Sequence, residues 1–267
     1  MSKKVKMILS GLLIMGLIFS VIGCGGQDKA DSNDPADGAK GEKTKLVVGA
    51  ETTFPPMEFM EGGEYVGFDM DLIRAIAEAE NMEVEMNSLG FDALIPAVQT
   101  GQIDCVISAM SITDERKESV DFTEPYFQAG LIIAVKSDNT TINNLEDLEG
   151  KKIAAQIGTT GADACNGVKE KDAATEVSIY NSTGEAYMAL ENDVVDAVIN
   201  DHPVTMYYVN TEGQDKVKTV GEVFAAEDTY GIAVKKGNAE LLNKLNKGLQ
   251  KIRDDGTYDE IYDKWFK

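Results

Sequence analysis

From Lys45 onward, apolar residues recur at intervals that alternate between strand spacing and helix spacing. The run KLVVGA at 45–50 predicts a strand. In FDMDLIRAIAEAE at 68–80, apolar side chains return every three or four residues, which predicts an amphipathic helix. Further strands are predicted at 82–88 and 103–109, with a helix at 91–101 between them. This βαβαβ order favours a parallel sheet that is covered by helices.

The chain repeats this alternation from Lys151 onward, so a second α/β lobe is expected. Apolar β-rich runs and helix-spaced runs follow one another without a long polar interruption. The predicted strands are 151–156, 175–180 and 195–201, and the predicted helices are 159–171, 183–193 and one that opens near Asp201.

The C-terminal part resembles the first block in its spacing. Residues 230–236 predict a strand, and residues 239–256 predict an amphipathic helix that Gly256 ends. A short final helix is predicted at 257–267, and its Trp265 and Phe266 are expected to pack it against the body of the protein.

Two segments, 125–136 and 225–235, could link the two blocks. If both segments cross from one block to the other, the second block is inserted into the first. Two adjacent strands would then form a hinge between two lobes. That arrangement leaves the first lobe discontinuous in sequence.

The N-terminus has the composition of a targeting segment. MSKKVK is basic, and the uncharged run from Met7 to Ile22 is shorter than the roughly 20 residues that a spanning helix needs. The run ends in VIGC, which looks like a lipoprotein signal whose cleavage leaves Cys24 to receive a lipid; the alternative is an ordinary signal peptide with an incidental cysteine. We therefore predict a signal peptide at 1–23 and a flexible tether at 24–44, because the tether lacks large apolar residues.

Composition excludes several functions. The net charge of −21 argues against nucleic acid as a partner, because a phosphate backbone needs a basic surface. His202 is the only histidine, which excludes a histidine-rich metal site and a Ser-His-Asp triad elsewhere in the chain. No metal and no cofactor is expected. Cys105 and Cys165 are expected to be free structural thiols, although a disulfide between them is an alternative.

Arg116 stands out because the chain has only three arginines. Thr113 is a plausible N-cap, and Ser111 and Arg116 bracket a helix start whose N–H groups suit an anion. Arginine also grips a carboxylate with two hydrogen bonds. The pattern predicts a carboxylate-binding site at the edge of a sheet. Alternatively, Arg116 pairs on the surface with neighbouring acids, namely Asp114, Glu115 or Asp121.

Three other residues complement Arg116. Asp201 ends a strand at the matching place in the second block, Phe54 follows the first strand, and Phe91 opens the helix after the second. A cation, a carboxylate and two aromatic faces together suit a free amino acid. Each has a simpler reading, because Asp201 could be an N-cap and the phenylalanines could be core residues.

The motifs ETTFPPMEF, GFDMDL, FDALIPAVQTGQID, SITDER…VDFTEPY, IGTTG, VDAVINDHPV and GTYDEIYDKWF complete the picture. With them, the chain from Lys45 to Lys267 resembles the solute-binding proteins of bacterial ABC importers for polar amino acids, extracellular family 3. The resemblance implies a two-lobed α/β fold of the periplasmic-binding type II with a two-strand hinge. Its implied lobes are 45–128 with 226–267, and an inserted lobe at 129–225.

The resemblance also implies a role for each site residue. Arg116 should hold the α-carboxylate, and Asp201 should hold the α-amino group. The supporting residues are Ser111, the backbone near Ala109 and Thr160 for the carboxylate, Phe54 and Phe91 beside the side chain, and Glu51 and Gln156 at its end.

Three positions depart from common family patterns. Glu51 stands where several relatives have Asp, Ala109 where Gly or Ser is frequent, and Gln156 where some glutamine binders have Lys. An acidic Glu51 without a lysine at position 156 favours a cationic or an amide side chain, so glutamine or a basic amino acid is expected.

The resemblance implies a monomeric receptor without enzymatic activity. A lipid on Cys24 would anchor it at the extracytoplasmic face of the cell membrane, where it would deliver a free amino acid to an ABC permease and its ATPase. Two alternatives keep the same fold. One is a dehydratase of a cyclic amino acid precursor, with Glu51 or His202 as acid or base. The other is a sensor that presents its ligand to a membrane receptor. His202 is expected to be an exposed residue in the first turn of its helix.

Overall fold

The structure, a computed structural model, describes residues 43–267, and the alternation of strands and helices runs through all of them. The strands are β1 (Thr44–Ala50), β2 (Thr53–Phe54), β3 (Glu58–Glu61), β4 (Glu64–Val66), β5 (Met82–Ser88), β6 (Cys105–Val106), β7 (Val120–Phe122), β8 (Phe127–Gln128), β9 (Leu131–Lys136), β10 (Lys152–Gln156), β11 (Glu176–Tyr180), β12 (Ala197–Asp201), β13 (Val217–Phe224), β14 (Thr229–Tyr230) and β15 (Ala233–Lys235). The helices are α1 (Phe68–Ala79), α2 (Phe91–Thr100), α3 (Asp114–Ser119), α4 (Thr160–Lys171), α5 (Thr183–Glu191), α6 (His202–Asn210), α7 (Ala239–Asp254) and α8 (Thr257–Phe266), with one 3-10 turn at Glu146–Leu148.

Two five-stranded sheets organise these elements. The first has the order β5-β1-β6-β15-β7, and the second has the order β11-β10-β12-β9-β13. In the first sheet β1 is parallel to β5 and β6, whereas β15 is antiparallel to β6 and β7. In the second sheet β10 is parallel to β11 and β12, whereas β9 is antiparallel to β12 and β13. We call the sheets with their helices lobe 1 and lobe 2.

Helices cover both faces of each sheet, which explains the continuous apolar runs in the central strands. In lobe 1, α1 and α7 pack on one face and α2 packs on the other. In lobe 2, α4 covers one face, and α5 and α6 cover the other. Leu131 to Val135 of β9 are all buried as a result.

A two-stranded ladder joins the lobes. Gln128 pairs with Thr229, and Phe127 pairs with Tyr230, in antiparallel β8 and β14. The chain enters lobe 2 after β8 and returns to lobe 1 through β14, so the strands of lobe 2 lie between those of lobe 1 in sequence. The lobe boundaries at 128/129 and 225/226 stay a prediction.

Two predicted strands are shorter in the structure. The third strand of lobe 1, predicted at 103–109, is only β6, because Ala109 turns to the left-handed region with φ 45°. The strand predicted at 230–236 divides into β14 and β15. Ser111 and Tyr230 pair in an isolated antiparallel β-bridge.

The C-terminal helix packs against lobe 1 as predicted. Trp265 donates to Asp71 Oδ2 at 2.8 Å and meets the ring of Phe59 edge-on at 5.9 Å. Phe266 lies 5.4 Å from Phe68 and 5.0 Å from Phe127, measured between ring centroids. These aromatic contacts fix α8 beside the start of α1.

Other predictions concern the cysteines and the N-terminus. Cys105 and Cys165 are buried and free, which confirms that they are structural thiols. The predicted signal peptide at 1–23, the lipid site at Cys24 and the tether up to position 42 lie outside the described residues. Of the helices between Lys43 and Lys267, none is long and apolar enough to cross a membrane.

Gly67 generates a testable prediction about how α1 begins. Its φ of 127° and ψ of 170° belong to a region that is essentially restricted to glycine, and an added Cβ would lie 2.2 Å from the Met57 carbonyl oxygen. We expect Gly67→Ala to lower the free energy of unfolding by about 3–5 kcal/mol, from backbone strain and overlap together. Denaturant titration measures this change.

The matched control is Gly62→Ala. Gly62 also has a positive φ of 61°, but an added Cβ would meet nothing within 4 Å. This substitution is expected to cost about 1 kcal/mol, the conformational penalty alone. Equal losses in the two variants would show that the contact with Met57 does not constrain the start of α1.

Candidate functional site

A small cavity lies between the two lobes, and residues of both lobes line it. All nine residues that the sequence predicted for the ligand line it, together with two that the sequence analysis missed, Glu58 and Thr159. The nine are Glu51, Phe54, Phe91, Ala109, Ser111, Arg116, Gln156, Thr160 and Asp201.

The strand ends bring these side chains together. Glu51 follows β1 directly, Gln156 ends β10 and Asp201 ends β12. Parallel strands expose the edge at their carboxyl ends, where open α/β sheets bind ligands. Phe91 and Thr160 are the first residues of α2 and α4, so each stands at a helix start on the same edge.

Arg116 is positioned by its own helix. The Thr113 side chain caps α3 by accepting from the Arg116 N–H at 3.2 Å, as predicted. The guanidinium donates to the Ser111 carbonyl at 2.8 Å in lobe 1 and to the Gly158 carbonyl at 2.9 Å in lobe 2. Its carbon lies 5.4 Å from the Phe91 ring centroid. Arg116 therefore spans the two lobes at the wall of the cavity.

The alternative of a surface ion pair for Arg116 is wrong. Asp114 pairs with Lys117 at 3.1 Å, and Asp121 pairs with Lys236 at 2.8 Å. Burial lowers the pKa of Arg116, and the negative charges of Asp201 and other acids oppose that shift. An arginine side chain stays protonated in proteins, so the guanidinium brings a full positive charge into the cavity.

Asp201 presents its carboxylate to the same cavity. It occupies the N-cap position of α6, but its side chain makes no cap hydrogen bond, so the simple N-cap reading is wrong. Burial raises the pKa of Asp201 to about 7. Tyr230 and Arg116 oppose this shift, and Asp228 adds to it. A cationic group placed here would restore the charged form at neutral pH.

Glu51 and Gln156 are neighbours in the wall of the cavity. Glu51 accepts a hydrogen bond from the Thr53 hydroxyl, and burial raises the pKa of its carboxyl. Gln156 donates to the Asn181 carbonyl at 3.0 Å and accepts from the Thr183 hydroxyl at 3.0 Å. These bonds fix the amide, so this part of the cavity wall combines a carboxyl group with an oriented amide.

Phe54 and Phe91 form an apolar part of the cavity wall. Phe54 is 5% exposed and belongs to the core of lobe 1 while it lines the cavity. Phe91 is half-buried and packs against the core beneath α2. Both residues therefore pack in the core and line the cavity, and their contact with a ligand stays a prediction.

Two lining residues escaped the sequence analysis. Thr159 caps α4 by accepting from the Ala162 N–H at 3.1 Å, and its hydroxyl donates to the Gln156 carbonyl at 2.7 Å. Glu58 is 1% exposed and accepts from the Ser108 hydroxyl at 2.8 Å. An acidic residue between Met57 and Phe59, in an otherwise apolar run, was the signal available for Glu58.

His202 is placed differently from its expectation. It is half-buried rather than exposed, and it is the first residue of α6. It lines a separate groove with Met206, Tyr262 and Trp265, outside the cavity that holds Arg116 and Asp201. The suggestion that His202 serves as an acid or base in this cavity is therefore wrong.

Comparison with known proteins gives consistent results along the chain. The model of the family "Bacterial extracellular solute-binding proteins, family 3" matches residues 46–267. A probable histidine-binding protein of Campylobacter jejuni is 30% identical over 97% of this chain and 98% of its own length. An ABC transporter arginine-binding protein of Escherichia coli is 35% identical, covering 83% and 90%. The ABC transporter glutamine-binding protein GlnH of Bacillus subtilis is 33% identical, covering 92% and 89%.

Solved structures agree with these relatives. An ancestral arginine-binding protein bound to arginine is 47% identical with a TM-score of 0.81, covering 85% of this chain and 100% of its own. The same kind of ancestral protein bound to glutamine is 47% identical with a TM-score of 0.79, covering 84% and 98%. The ancestral amino acid-binding protein AncCDT-1, a precursor of cyclohexadienyl dehydratase, is 38% identical with a TM-score of 0.76, covering 84% and 96%. The predicted two-lobed α/β fold is confirmed.

The raised pKa of Asp201 predicts how pH changes the stability of the ligand-free protein. Its pKa rises from 3.8 to about 7 on folding, so the folded state binds the proton more tightly than the unfolded state. The resulting stabilisation is full below pH 3.8 and is lost as the pH rises through 7. Between pH 5.5 and 8, we expect wild-type protein to lose about 2 kcal/mol more unfolding free energy than Asp201→Asn.

Denaturant titrations at both pH values measure this difference. The control is Glu118→Gln, which removes an exposed carboxylate of α3 and should keep the wild-type pH dependence. An unchanged pH dependence in Asp201→Asn would contradict the assignment of the raised pKa to this group.

Proposed function

The chain belongs to family 3 of the bacterial extracellular solute-binding proteins, and we propose that it is a receptor that binds one free polar amino acid between its lobes for an ABC importer. One observation carries the proposal. Arg116 and Asp201, of opposite charge, line one small cavity without forming an ion pair with each other among the described residues. A zwitterion carries a negative group that complements Arg116 and a positive group that complements Asp201.

The carboxylate end is built around Arg116. Its guanidinium can donate two parallel hydrogen bonds to a carboxylate. Such bidentate, charge-assisted hydrogen bonds are among the strong ones that a side chain makes. Thr159 and Thr160 stand at the start of α4, a helix of 12 residues whose N-terminal N–H groups and dipole favour an anion. Ser111 and Ala109 of lobe 1 also line the cavity, and their backbone groups would support the carboxylate. A carboxylate here would contact both lobes at once.

A ligand that contacts both lobes would favour the closed arrangement of the lobes. A ligand shifts an open–closed equilibrium only as far as it prefers one state. Here the α-carboxylate would bind Arg116 of lobe 1 and the start of α4 in lobe 2, so its full set of contacts needs the closed arrangement. The β8–β14 ladder is the short connection around which the lobes would move.

The ammonium end is assigned to Asp201. A ligand ammonium beside this carboxylate would lower its pKa again, because an opposite charge at short range favours the ionised form. Binding should then release a proton at pH values below about 7, and affinity should weaken as the medium becomes more acidic.

The side-chain end selects glutamine or a basic amino acid. Glu51 offers a carboxylate, and Gln156 offers an amide held by lobe-2 hydrogen bonds. Phe54 and Phe91 suit the aliphatic part of a long polar side chain. Relatives whose names specify histidine, arginine or glutamine support this choice.

The receptor's location and partners follow from the same proposal. We place it at the extracytoplasmic face of the membrane, held as a monomer by a lipid on Cys24 through the tether at 24–44. Its partners would be an ABC permease and the ATPase of that permease. The family description and the transporter names of the relatives support an extracytoplasmic receptor, and lipid attachment can be tested by mass spectrometry of the intact protein.

A dehydratase remains the second candidate, because a structural relative is a precursor of cyclohexadienyl dehydratase. That relative is itself described as an amino acid-binding protein. Glu51 is a titratable group in the cavity whose pKa burial raises, which makes it the acid or base to test. Mass spectrometry after incubation with a cyclohexadienyl acid should find no product if the receptor proposal is right.

The central test removes the proposed carboxylate contact. We expect Arg116→Ala to weaken binding of every amino acid that the wild type binds by at least about 100-fold, because it loses a charge-assisted contact in a buried site. Isothermal titration calorimetry measures the affinities. Arg74→Ala is the control, since Arg74 bonds the Tyr65 carbonyl on the surface and should leave binding unchanged. Normal binding by Arg116→Ala would overturn the carboxylate assignment.

A second variant separates recognition of the shared groups from selection of the side chain. Glu51→Ala removes a carboxylate at the side-chain end and leaves Arg116 and Asp201 in place. We expect the ranking of amino acids to change, with basic ones losing about tenfold or more relative to neutral ones. A uniform loss across all ligands would instead place Glu51 outside the side-chain contacts.

A further inference from the structure

A buried carboxyl pair lies behind the side-chain end of the cavity. Glu58, on β3, lines the cavity and is 1% exposed, and Asp69, the second residue of α1, is 0% exposed. The two carboxyl groups are close enough for each to affect the pKa of the other. Within residues 43–267, no lysine, arginine or histidine contributes to the pKa of either group. Two acids without a cationic partner are costly to bury in ionised form.

The hydrogen bonds around the pair account for only half of its oxygens. Glu58 Oε1 accepts from the Ser108 hydroxyl at 2.8 Å. Asp69 Oδ2 accepts from the Ala109 N–H at 2.7 Å and from the Tyr126 hydroxyl at 2.7 Å. The other two oxygens, Glu58 Oε2 and Asp69 Oδ1, are buried and receive no donor from the described residues. A proton retained by one carboxyl group would satisfy both oxygens through a single hydrogen bond.

The hydrogen bonds favour Glu58 as the group that keeps the proton, because Asp69 Oδ2 accepts from two donors and Glu58 accepts from one. Burial raises the pKa of Asp69 to about 7, while the hydrogen bonds from Ala109, Tyr126 and Glu58 restrain that rise. Burial also raises the pKa of Glu58 well above its usual value, and the negative charges of Asp69 and Glu51 add to the shift. Glu58 as a neutral acid that donates to an ionised Asp69 fits all of these contacts.

The groups that face the pair are acidic or neutral. Glu51 lies on the cavity side, and its N–H donates to the same Ser108 hydroxyl at 3.0 Å. Tyr126 and Tyr230 face the pair from the hinge side, and both are fully buried phenols. A positive charge beside the pair would have to come from a ligand, and the cavity is the route by which a ligand reaches Glu58.

We propose that Glu58 and Asp69 share one proton and that this proton sets which ligand side chains the cavity accepts. With the proton in place, the cavity suits a neutral amide. When the proton leaves to solvent, the cavity gains a carboxylate beside Glu51 and suits a guanidinium or an ammonium group. The proposal rests on the receptor function proposed above and adds that basic amino acids bind with release of this proton.

The test compares two ligands of nearly the same shape, L-arginine and L-citrulline. Arginine carries a guanidinium that stays charged, and citrulline carries a neutral urea group. Both share the α-ammonium, so the titration of Asp201 cancels in the ratio of their affinities. We expect the arginine-to-citrulline affinity ratio to rise between pH 6 and 8.5, by up to about tenfold per pH unit for one proton. Isothermal titration calorimetry measures both affinities.

Glu58→Gln should abolish this pH dependence. A glutamine amide can accept from Ser108 and donate to Asp69, so it keeps the hydrogen bonds of the protonated acid without titrating. Glu51→Gln is the matched control, because it removes a carboxylate from the same cavity and retains the pair. We expect this control to weaken arginine binding and to keep the rise of the ratio with pH.

Proton counting in wild-type protein gives a readout that needs no variant. Calorimetry at neutral pH in phosphate and in Tris should show that arginine releases about one proton more than citrulline. A constant ratio in wild type, an unchanged slope in Glu58→Gln, equal proton release, or no binding of arginine would each overturn the proposal for the pair. Failure of all twenty amino acids to bind would overturn the receptor function itself, and the proposal for the pair with it.

Discussion

Arg116 and Asp201 face one small cavity with opposite charges, and the protein keeps them from pairing with each other. Arg116 holds carbonyl oxygens of Ser111 and Gly158, and Asp201 stands at the end of β12 without a capping bond. Bringing them into contact would satisfy both and leave no charge for a ligand. In the structure Arg116 lies on α3 of lobe 1 and Asp201 ends β12 of lobe 2, and no salt bridge joins the two side chains.

The remaining site depends on that separation. Under the proposed function, Arg116 and Asp201 would recognise the groups common to all amino acids, so selection among amino acids would fall to the rest of the cavity wall. There the walls come from Glu51, Glu58 and Gln156, each held by hydrogen bonds to its neighbours. Burial without a cationic partner raises the pKa of Glu58, and this shift is the basis on which we propose that a proton affects ligand choice. In this proposal, different residues would carry recognition and selection.

Sequence patterns predicted most of this arrangement, for reasons that particular elements show. Strands β1 and β5 are continuous apolar or alternating runs, and their periodicity identified them. The short β6 was overestimated, because hydropathy carries no sign of the left-handed turn at Ala109. That turn is held by a hydrogen bond from Ala109 to Asp69, a residue 40 positions away. Contacts of this range leave no local pattern in the sequence.

In the candidate site too, some residues could be placed from local sequence patterns and others depend on long-range contacts. Residues at strand ends and helix starts, such as Arg116 and Asp201, could be placed from their local motifs and from family resemblance. Glu58 could not, because its importance comes from burial beside Asp69, which depends on how β3 folds over α1. Its neighbours in sequence suggest only a short hairpin strand.

A crystal structure of the protein with its bound amino acid would show most directly whether Arg116 and Asp201 hold the ligand. We expect the α-carboxylate within about 3 Å of the Arg116 guanidinium nitrogens and the α-ammonium within about 3 Å of an Asp201 carboxylate oxygen. The side chain would then extend between Phe54 and Phe91 toward Glu51 and Gln156. An amino acid bound in the reverse orientation, or outside this cavity, would contradict the account.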